Sequence, residues 1–391
     1  MFKYLGPEIL RGFDTYKYNS MDTSPFSNYV MHPFWNWFVK LVPMNIAANT
    51  LTFVGFMLLP LSFVILAYYD YDFTRNHSIP QWVWLMCAFN NFMSHTLDGI
   101  DGKQARRTKT SSVLGELFDH GLDAWSTTFF AIAIYDIFGQ GYWGAPPLRF
   151  LLVLTAIQCT FVFTHWEKYN TGILYLPWAY DMALVGMTLA YALTYVFGVE
   201  FWQIYVRLPL PGFSHQMTLA DALVIFLYIS NYVVSVPICI LNVIMSYVNK
   251  SGKMLSLSES VRPLVPAAVL FIFIYVWAAY SQTDVLVQSP RCYYTLSGVL
   301  FAQITTRMIV HQMSNTRADA FNLLLLPLIL ITPICCLWNL GNIEVYILYT
   351  YTVVATLAHI HYGQSVVDEI ADYINIYVFS VKKRPPKDKS S

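Results

Sequence analysis

Apolar residues run along this chain in long blocks. Ten stretches, at roughly 46–69, 81–98, 120–138, 149–166, 180–200, 219–247, 263–281, 293–313, 321–338 and 344–366, reach the length that a helix needs to cross a bilayer. Inside a bilayer every backbone N–H and C=O must be satisfied within the segment, so the runs are read as helices, with Pro60, Pro237 and Pro327 as kinks. The expected fold class is an all-α integral membrane protein with about ten transmembrane helices. Between 27 and 42 the pattern shortens: Val30, Phe34, Phe38 and Leu41 recur at helical spacing beside Trp35 and Trp37. That predicts an N-terminal amphipathic helix, lying in the membrane interface or packed on the bundle. No internal repeat is visible, so the inverted-repeat plan of many transporters finds no support. The first forty residues hold no short apolar run ahead of a small-residue cleavage site, and insertion is expected to begin with the first span.

Composition agrees. The chain is 56% hydrophobic and 12% charged, whereas soluble domains carry about a quarter charged residues. Its formal net charge of +0 offers no basic field to nucleic acid. Six scattered cysteines show no metal spacing and read as buried thiols. Charge placement gives orientation. With ten spans, one set of loops holds 18 of the 23 lysines and arginines, including Lys103–Lys109, Lys250–Arg262 and Lys382–Lys389. The other set holds only Arg75, Arg149, Arg207 and Arg291. The richer set belongs in the cytoplasm, and with it both termini.

Chemistry concentrates in residues 98–123, DGIDGKQARRTKTSSVLGELFDHGLD. Asp98 and Asp101 are spaced i, i+3 and Asp119 and Asp123 i, i+4, so each pair shares a helix face. Four carboxylates at the ends of two apolar runs repel one another and are costly beside a bilayer unless cations compensate them. Two divalent ions balance four carboxylates, and an all-oxygen donor set favours Mg²⁺ or Mn²⁺ over zinc. Gly102 and Ala105 fall on the Asp98 side of the helix and leave room for a bulky ligand; Arg106 is within reach of a phosphate or base held there. Glu116, one turn before Asp119, is a further ligand or a partner of the ligands.

The string resembles the signature of the CDP-alcohol phosphotransferases, D-x2-D-G-x2-A-R-x8-G-x3-D-x3-D, with every interval intact from Asp98 to Asp123. The remainder is similar to the eukaryotic choline and ethanolamine branch, through ANTLTFVGF at 48–56, GELFDHGLD at 115–123 and HWEKYNTGILYLPW at 165–178. MHPFWN at 31–36 and LAHIHYG at 357–363 look most like its ethanolamine members. The resemblance implies that Asp98, Asp101, Asp119 and Asp123 hold two metal ions and that Asn49 and Arg106 contact the CDP moiety. Ala48 stands where the family usually has proline before that asparagine. His120 matches the proposed proton acceptor, and Asp123 is the competing base. The implied reaction moves phosphoethanolamine from CDP-ethanolamine to diacylglycerol, giving phosphatidylethanolamine and CMP; CDP-choline, or both donors, is the alternative. A homodimer is also implied.

The expected organisation is a cytoplasmic segment with the interfacial helix (1–45), catalytic helices (46–200), further transmembrane helices (201–366) and a basic cytoplasmic tail (367–391). Glu167 and Asp181 flank the cytoplasmic ends of later spans and read as solvated or packing charges, or as lining the entrance to the site. His359 and His361, two apart, point away from each other on a helix and make no metal pair. Arg307, inside a span with His311 four residues on, is a candidate contact to a lipid head group or to CDP. Two other classes compete. A membrane prenyltransferase also binds Mg²⁺ on Asp-rich helices, with different spacing. A transporter places its acids near the bilayer midplane. The last residues, Lys387-Asp388-Lys389-Ser390-Ser391, resemble a dilysine retrieval signal. The expected location is therefore the endoplasmic reticulum membrane, with the Golgi as the other destination; the bland reading is a polybasic tail on anionic lipid.

Overall fold

The computed structural model describes residues 3–140, 144–176, 178–207 and 216–385. In chain order the helices are α1 Pro7–Gly12, α2 His32–Phe38, α3 Ala48–Tyr69, α4 Gln81–Thr108, α5 Val113–Phe138, α6 Pro147–Thr171 and α7 Ala179–Phe197. They continue as α8 Leu219–Tyr228, α9 Val236–Val248, α10 Leu257–Val261, α11 Val265–Tyr280, α12 Val285–Gln288, α13 Pro290–Ser314, α14 Leu326–Leu337 and α15 Asn342–Tyr373. A π-helical segment, Ile229–Ser235, joins α8 to α9 in one rod.

Each of the ten apolar stretches falls on one of these rods, so the chain is an all-α, multi-pass membrane protein. Among the described residues six rods are long and apolar enough to cross a membrane on length and composition alone: α3, α6, α7, α8–α9, α10–α11 and α15. The long helices α4, α5 and α13 carry more polar residues because their inward faces line a site or one another. The prolines fall into two groups. Pro60 lies inside α3. Pro237 and Pro327 occupy first turns, of α9 and α14, where the missing N–H is no loss.

Nearly all of α13 is buried; it packs on α5, α6, α11 and α15. A Cβ on Gly298 would lie 2.3 Å from Thr128 Oγ1, so the α13–α5 contact requires glycine. At one end of the bundle buried Arg291 pairs with buried Asp136 and donates to the backbone oxygens of Asp70 (2.8 Å) and Tyr71 (2.9 Å). The acidic helix ends, the N-terminal segment and the segment after α15 gather at the other. There β1 (Ser20–Met21) pairs in parallel with β2 (Leu174–Tyr175), and Glu369 accepts from the backbone N–H groups of Tyr4 and Leu5.

The amphipathic segment is helical as expected, through a π turn at Ser27–Met31, then α2, then a 3₁₀ turn at Val39–Leu41. Its buried stripe is Met31, Trp35 and Val39, packed on Leu51, Leu97 and Ile100, while Val30, Trp37 and Leu41 stay exposed. It thus packs on the bundle with one face and offers the other to the interface. Lys387 to Ser391, which carry the retrieval-signal reading, lie outside the described residues.

Candidate active site

The site starts with a helix hairpin. α4 stops at Lys109, whose φ of 57° is left-handed, and the Thr110 N–H caps the Ala105 carbonyl at 2.9 Å. Three residues later Ser112 caps α5, its Oγ accepting from the Gly115 N–H at 3.2 Å. At 1.5 Å per residue, Asp98 and Asp123 each sit roughly 15 Å from this turn, so the antiparallel helices bring them level. α3 packs against both helices, and the acids fill the space left between them.

One oxygen each from Asp98, Asp101 and Asp119 lie within 4.8 Å of one another, and so do one ligand atom each from Asp119, His120 and Asp123. Thr52 on α3 is a direct neutral side-chain donor to this set, its Oγ1 donating to Asp101 Oδ2 at 2.5 Å. Among the described residues no lysine or arginine pairs with any of the four carboxylates. A cluster of hard anionic oxygens without a side-chain counter-charge fits divalent cations.

His120 stands between the two carboxylates of its own helix: Nε2 is 4.0 Å from Asp119 Oδ2 and Nδ1 is 3.9 Å from Asp123 Oδ2. Its buried Nε2 has no hydrogen-bond partner among the described residues. The ring meets His165 of α6 edge-on at 5.2 Å and Tyr18 at 6.3 Å. Beneath it Glu116 forms a buried ion pair with Lys168 of α6 and accepts from the Tyr16 hydroxyl at 2.6 Å. Burial first, then the neighbouring Glu116 carboxylate, push the Tyr16 hydroxyl well above its ordinary pKa, so it stays a donor.

These groups line one cavity of about 1800 Å³. Its polar end holds the four acids, His120, Asn49, Gly102, Ala105 and Arg106. A methyl group on Gly102 would meet nothing nearer than Arg106 Nη1 at 3.6 Å, so this helix face is open to a ligand. The other end runs between α5, α6, α7 and α8 past Ile134, Phe161, Met187 and Leu227 to Leu189 and Phe226, which are exposed on the outside of the bundle. A polar end with metal-binding oxygens and an apolar end open at the lipid-facing surface suit one soluble and one membrane substrate.

The family model described as CDP-alcohol phosphatidyltransferase matches residues 45–248. The chain belongs to this family. Ethanolaminephosphotransferase 1 of Homo sapiens is 42% identical over 386 residues, covering 98% of this chain and 96% of the relative. Its counterpart in Mus musculus is 42% identical over 387 residues with the same coverage. Choline/ethanolaminephosphotransferase 1 of Arabidopsis thaliana is 28% identical over 397 residues, covering 97% and 99%. The family match therefore takes in α3 to α9, the helices that frame both ends of the cavity.

Other residues are placed less simply. Asn49 is buried in the cavity wall, where its Nδ2 donates to the backbone oxygen of Val378 at 3.0 Å. Asp181, read from sequence as lining the entrance or as a solvated or packing charge, is buried in the cavity lining and pairs with His95 Nε2 at 2.9 Å, one turn before Asp98. Glu167 accepts from Asn242 at 2.7 Å and is also buried. The partners of these two acids, His95 and Asn242, are what sequence reasoning missed; His95, three residues before Asp98 on one helix face, was the available signal for Asp181's surroundings. Arg307 donates to Asp319 at 2.6 Å outside the main cavity, with His311 3.5 Å from the same carboxylate. His359 bonds Gln303 at 2.6 Å inside the bundle while His361 meets the Tyr4 hydroxyl at 3.0 Å, so the two histidines diverge.

Proposed function

We propose that this protein transfers phosphoethanolamine from CDP-ethanolamine to diacylglycerol, releasing CMP and forming phosphatidylethanolamine. The observation that carries the reading is the convergence of Asp98, Asp101, Asp119 and Asp123 with His120 in a cavity that is polar at one end and opens to the lipid-facing surface at the other. The four aspartates would hold two Mg²⁺ or Mn²⁺ ions, which when bound offset charge on the diphosphate and on the entering and leaving oxygens. CDP-ethanolamine enters at the polar end, where Gly102 and Ala105 admit it and Arg106 and Asn49 contact its CDP moiety. Diacylglycerol enters between the helices from the bilayer. His120 takes the proton of its hydroxyl at Nε2, the nitrogen without a partner, while Asp123 faces Nδ1 and steadies the imidazolium. The acceptor oxygen forms the new O–P bond as the P–O bond to CMP breaks. Glu116, tied to Lys168 and Tyr16, holds the α5 face that presents Asp119 and His120. Helices 46–200 form the catalytic unit, in an endoplasmic reticulum membrane with both termini cytoplasmic. The cationic loops and the clustering of termini and acids at one end of the bundle support that orientation.

The test is turnover of the purified protein in lipid nanodiscs with labelled CDP-ethanolamine and diacylglycerol, with CDP-choline alongside. Phosphatidylethanolamine is the expected product, lost in chelator and restored by Mg²⁺ or Mn²⁺. Asp98→Asn and Asp119→Asn are expected to abolish turnover in folded protein; full activity in either overturns the two-metal reading. Faster turnover of CDP-choline would move the assignment to the choline donor.

A further inference from the structure

The segment after α15 is a built element, seated on the site. Asn375, at φ 54°, reverses the chain; Ile376 and Lys383 then pair as an antiparallel bridge, and Asn375 Nδ2 donates to the Pro385 oxygen at 3.1 Å. Residues 374–385 thus form a hairpin closed at its neck. Its apolar side chains Ile374, Ile376 and Val378 pack against the buried cluster that includes Leu114 and Leu117 of α5 and Val366 and Ile370 of α15. Phe379 sits between Phe53 and Phe118, with ring centroids at 5.8 and 5.6 Å. Through Val378 O the hairpin takes one N–H of Asn49, whose Oδ1 lies against Gly115.

This places cations at the polar end of the cavity. Of those that line it, Lys103 donates to Asn36 at 2.9 Å and Arg384 pairs with Asp372 at 2.5 Å. Arg106 of α4 and Lys109 just after it remain, together with Lys382 and Lys383 of the hairpin. Neither hairpin lysine side chain has a hydrogen-bond or ion-pair partner among the described residues, and both are exposed. Two divalent ions, bound as proposed, would bring four positive charges against four aspartates, so the site with an anionic donor in place still calls for side-chain cations.

We propose that the 374–385 hairpin is the nucleotide-side wall of the donor site: Val378 fixes the Asn49 amide, and Lys382 and Lys383 bind the anionic CDP donor. The proposal rests on the CDP-alcohol reading of the site, without depending on which alcohol the donor carries. It gives the segment a substrate-binding role distinct from contact with lipid.

The full-length chain in nanodiscs, free of anionic lipid, provides the test. Lys382→Gln/Lys383→Gln is expected to raise the donor KM by about threefold per lysine, roughly tenfold together, the scale of exposed charge contacts. kcat and the diacylglycerol KM are expected to stay within twofold. CMP affinity, titrated calorimetrically with Mg²⁺ present, is expected to fall in parallel. Phe379→Ala, which loosens the seat and leaves the lysines in place, is expected to raise the donor KM as well, with Phe379→Tyr restoring it. Donor KM and CMP affinity within twofold of wild type in the double variant overturn the proposal, as does an effect that appears only when anionic lipid is added. If the wild-type protein turned over neither CDP-alcohol, the proposed function would fail on its own, and the loss or retention of CMP binding in the double variant would still decide the hairpin's role.

Discussion

Replacing Lys168 with methionine tests the reasoning most directly, because the structure sets both the direction and the size of the effect. Lys168 and Glu116 form an ion pair with 2% and 7% of their side chains exposed, between α6 and α5. Lys168 also lies over the rings of Tyr16 and Tyr18, 5.6 and 5.0 Å from their centroids. Methionine keeps the length and apolar stem and removes only the charge. Glu116 is then left as a buried carboxylate with the Tyr16 hydroxyl as its remaining donor. Removing one partner of a buried pair costs about 3–5 kcal/mol, mostly the desolvation of the stranded charge. Thermal unfolding of the detergent-solubilised protein is expected to move down by roughly 4–6 °C. Neutralising both partners, in Lys168→Met/Glu116→Gln, removes the stranded charge while the amide still accepts from Tyr16. The double variant is therefore expected to recover most of the loss, with a coupling energy of roughly 2–3 kcal/mol. A single variant within 2 °C of wild type, or a double variant no better than the single, would refute the claim that this pair holds α5 against α6 under the acids; the 2 °C margin is about 1.5 kcal/mol.

Other expectations are narrower. His120→Ala is expected to lower turnover by about 10²–10⁴-fold while calorimetric CMP binding persists; near-normal turnover would transfer the base role to Asp123. Gly99→Ala puts a methyl 2.2 Å from Cε2 of buried Trp35 and is expected to cost about 1–3 kcal/mol by overpacking, read as a lowered melting temperature and a change in Trp35 burial by fluorescence quenching. Asp319, in the loop after α13, is pushed up by burial, but the His311 hydrogen bond and the Arg307 guanidinium outweigh this and hold it down at about 2. A depressed carboxylate stabilises above its unfolded pKa, near 3.9, and loses that contribution as pH falls toward its folded value. Asp319→Asn is therefore expected to melt lower than wild type at pH 7, the gap closing between about pH 4 and pH 2; a gap independent of pH would refute the ion-pair account.

How much could be read from sequence follows from the range over which each feature is encoded. Bilayer thickness sets the length of an apolar run, so ten helices and their approximate limits were legible from local composition. The acid pairs were legible for the same reason: spacings of three and four on a helix fix a face, and the 98–123 segment spans a single helix hairpin whose two arms must come level. Gly102, Ala105 and Arg106 belong to that local arithmetic. What the tertiary structure alone decided are partnerships across long separations. Glu116 finds Tyr16 100 residues away and Lys168 52 away. His95 meets Asp181 at a separation of 86, and Asn49 meets Val378 at 329. Periodicity cannot announce such pairs, because neither member has an unusual neighbour in sequence. A lone Lys168 in a loop count and a lone Glu116 on a helix face are ordinary charges until packing removes water from both and makes each the other's charged partner. The segment after α15 read as a basic cytoplasmic tail for the same reason: its Ile374, Ile376 and Val378 are too few to predict a core element alone, and they become one only because the fold supplies a buried cluster, with Leu114 and Leu117 of α5 in it, for them to cover.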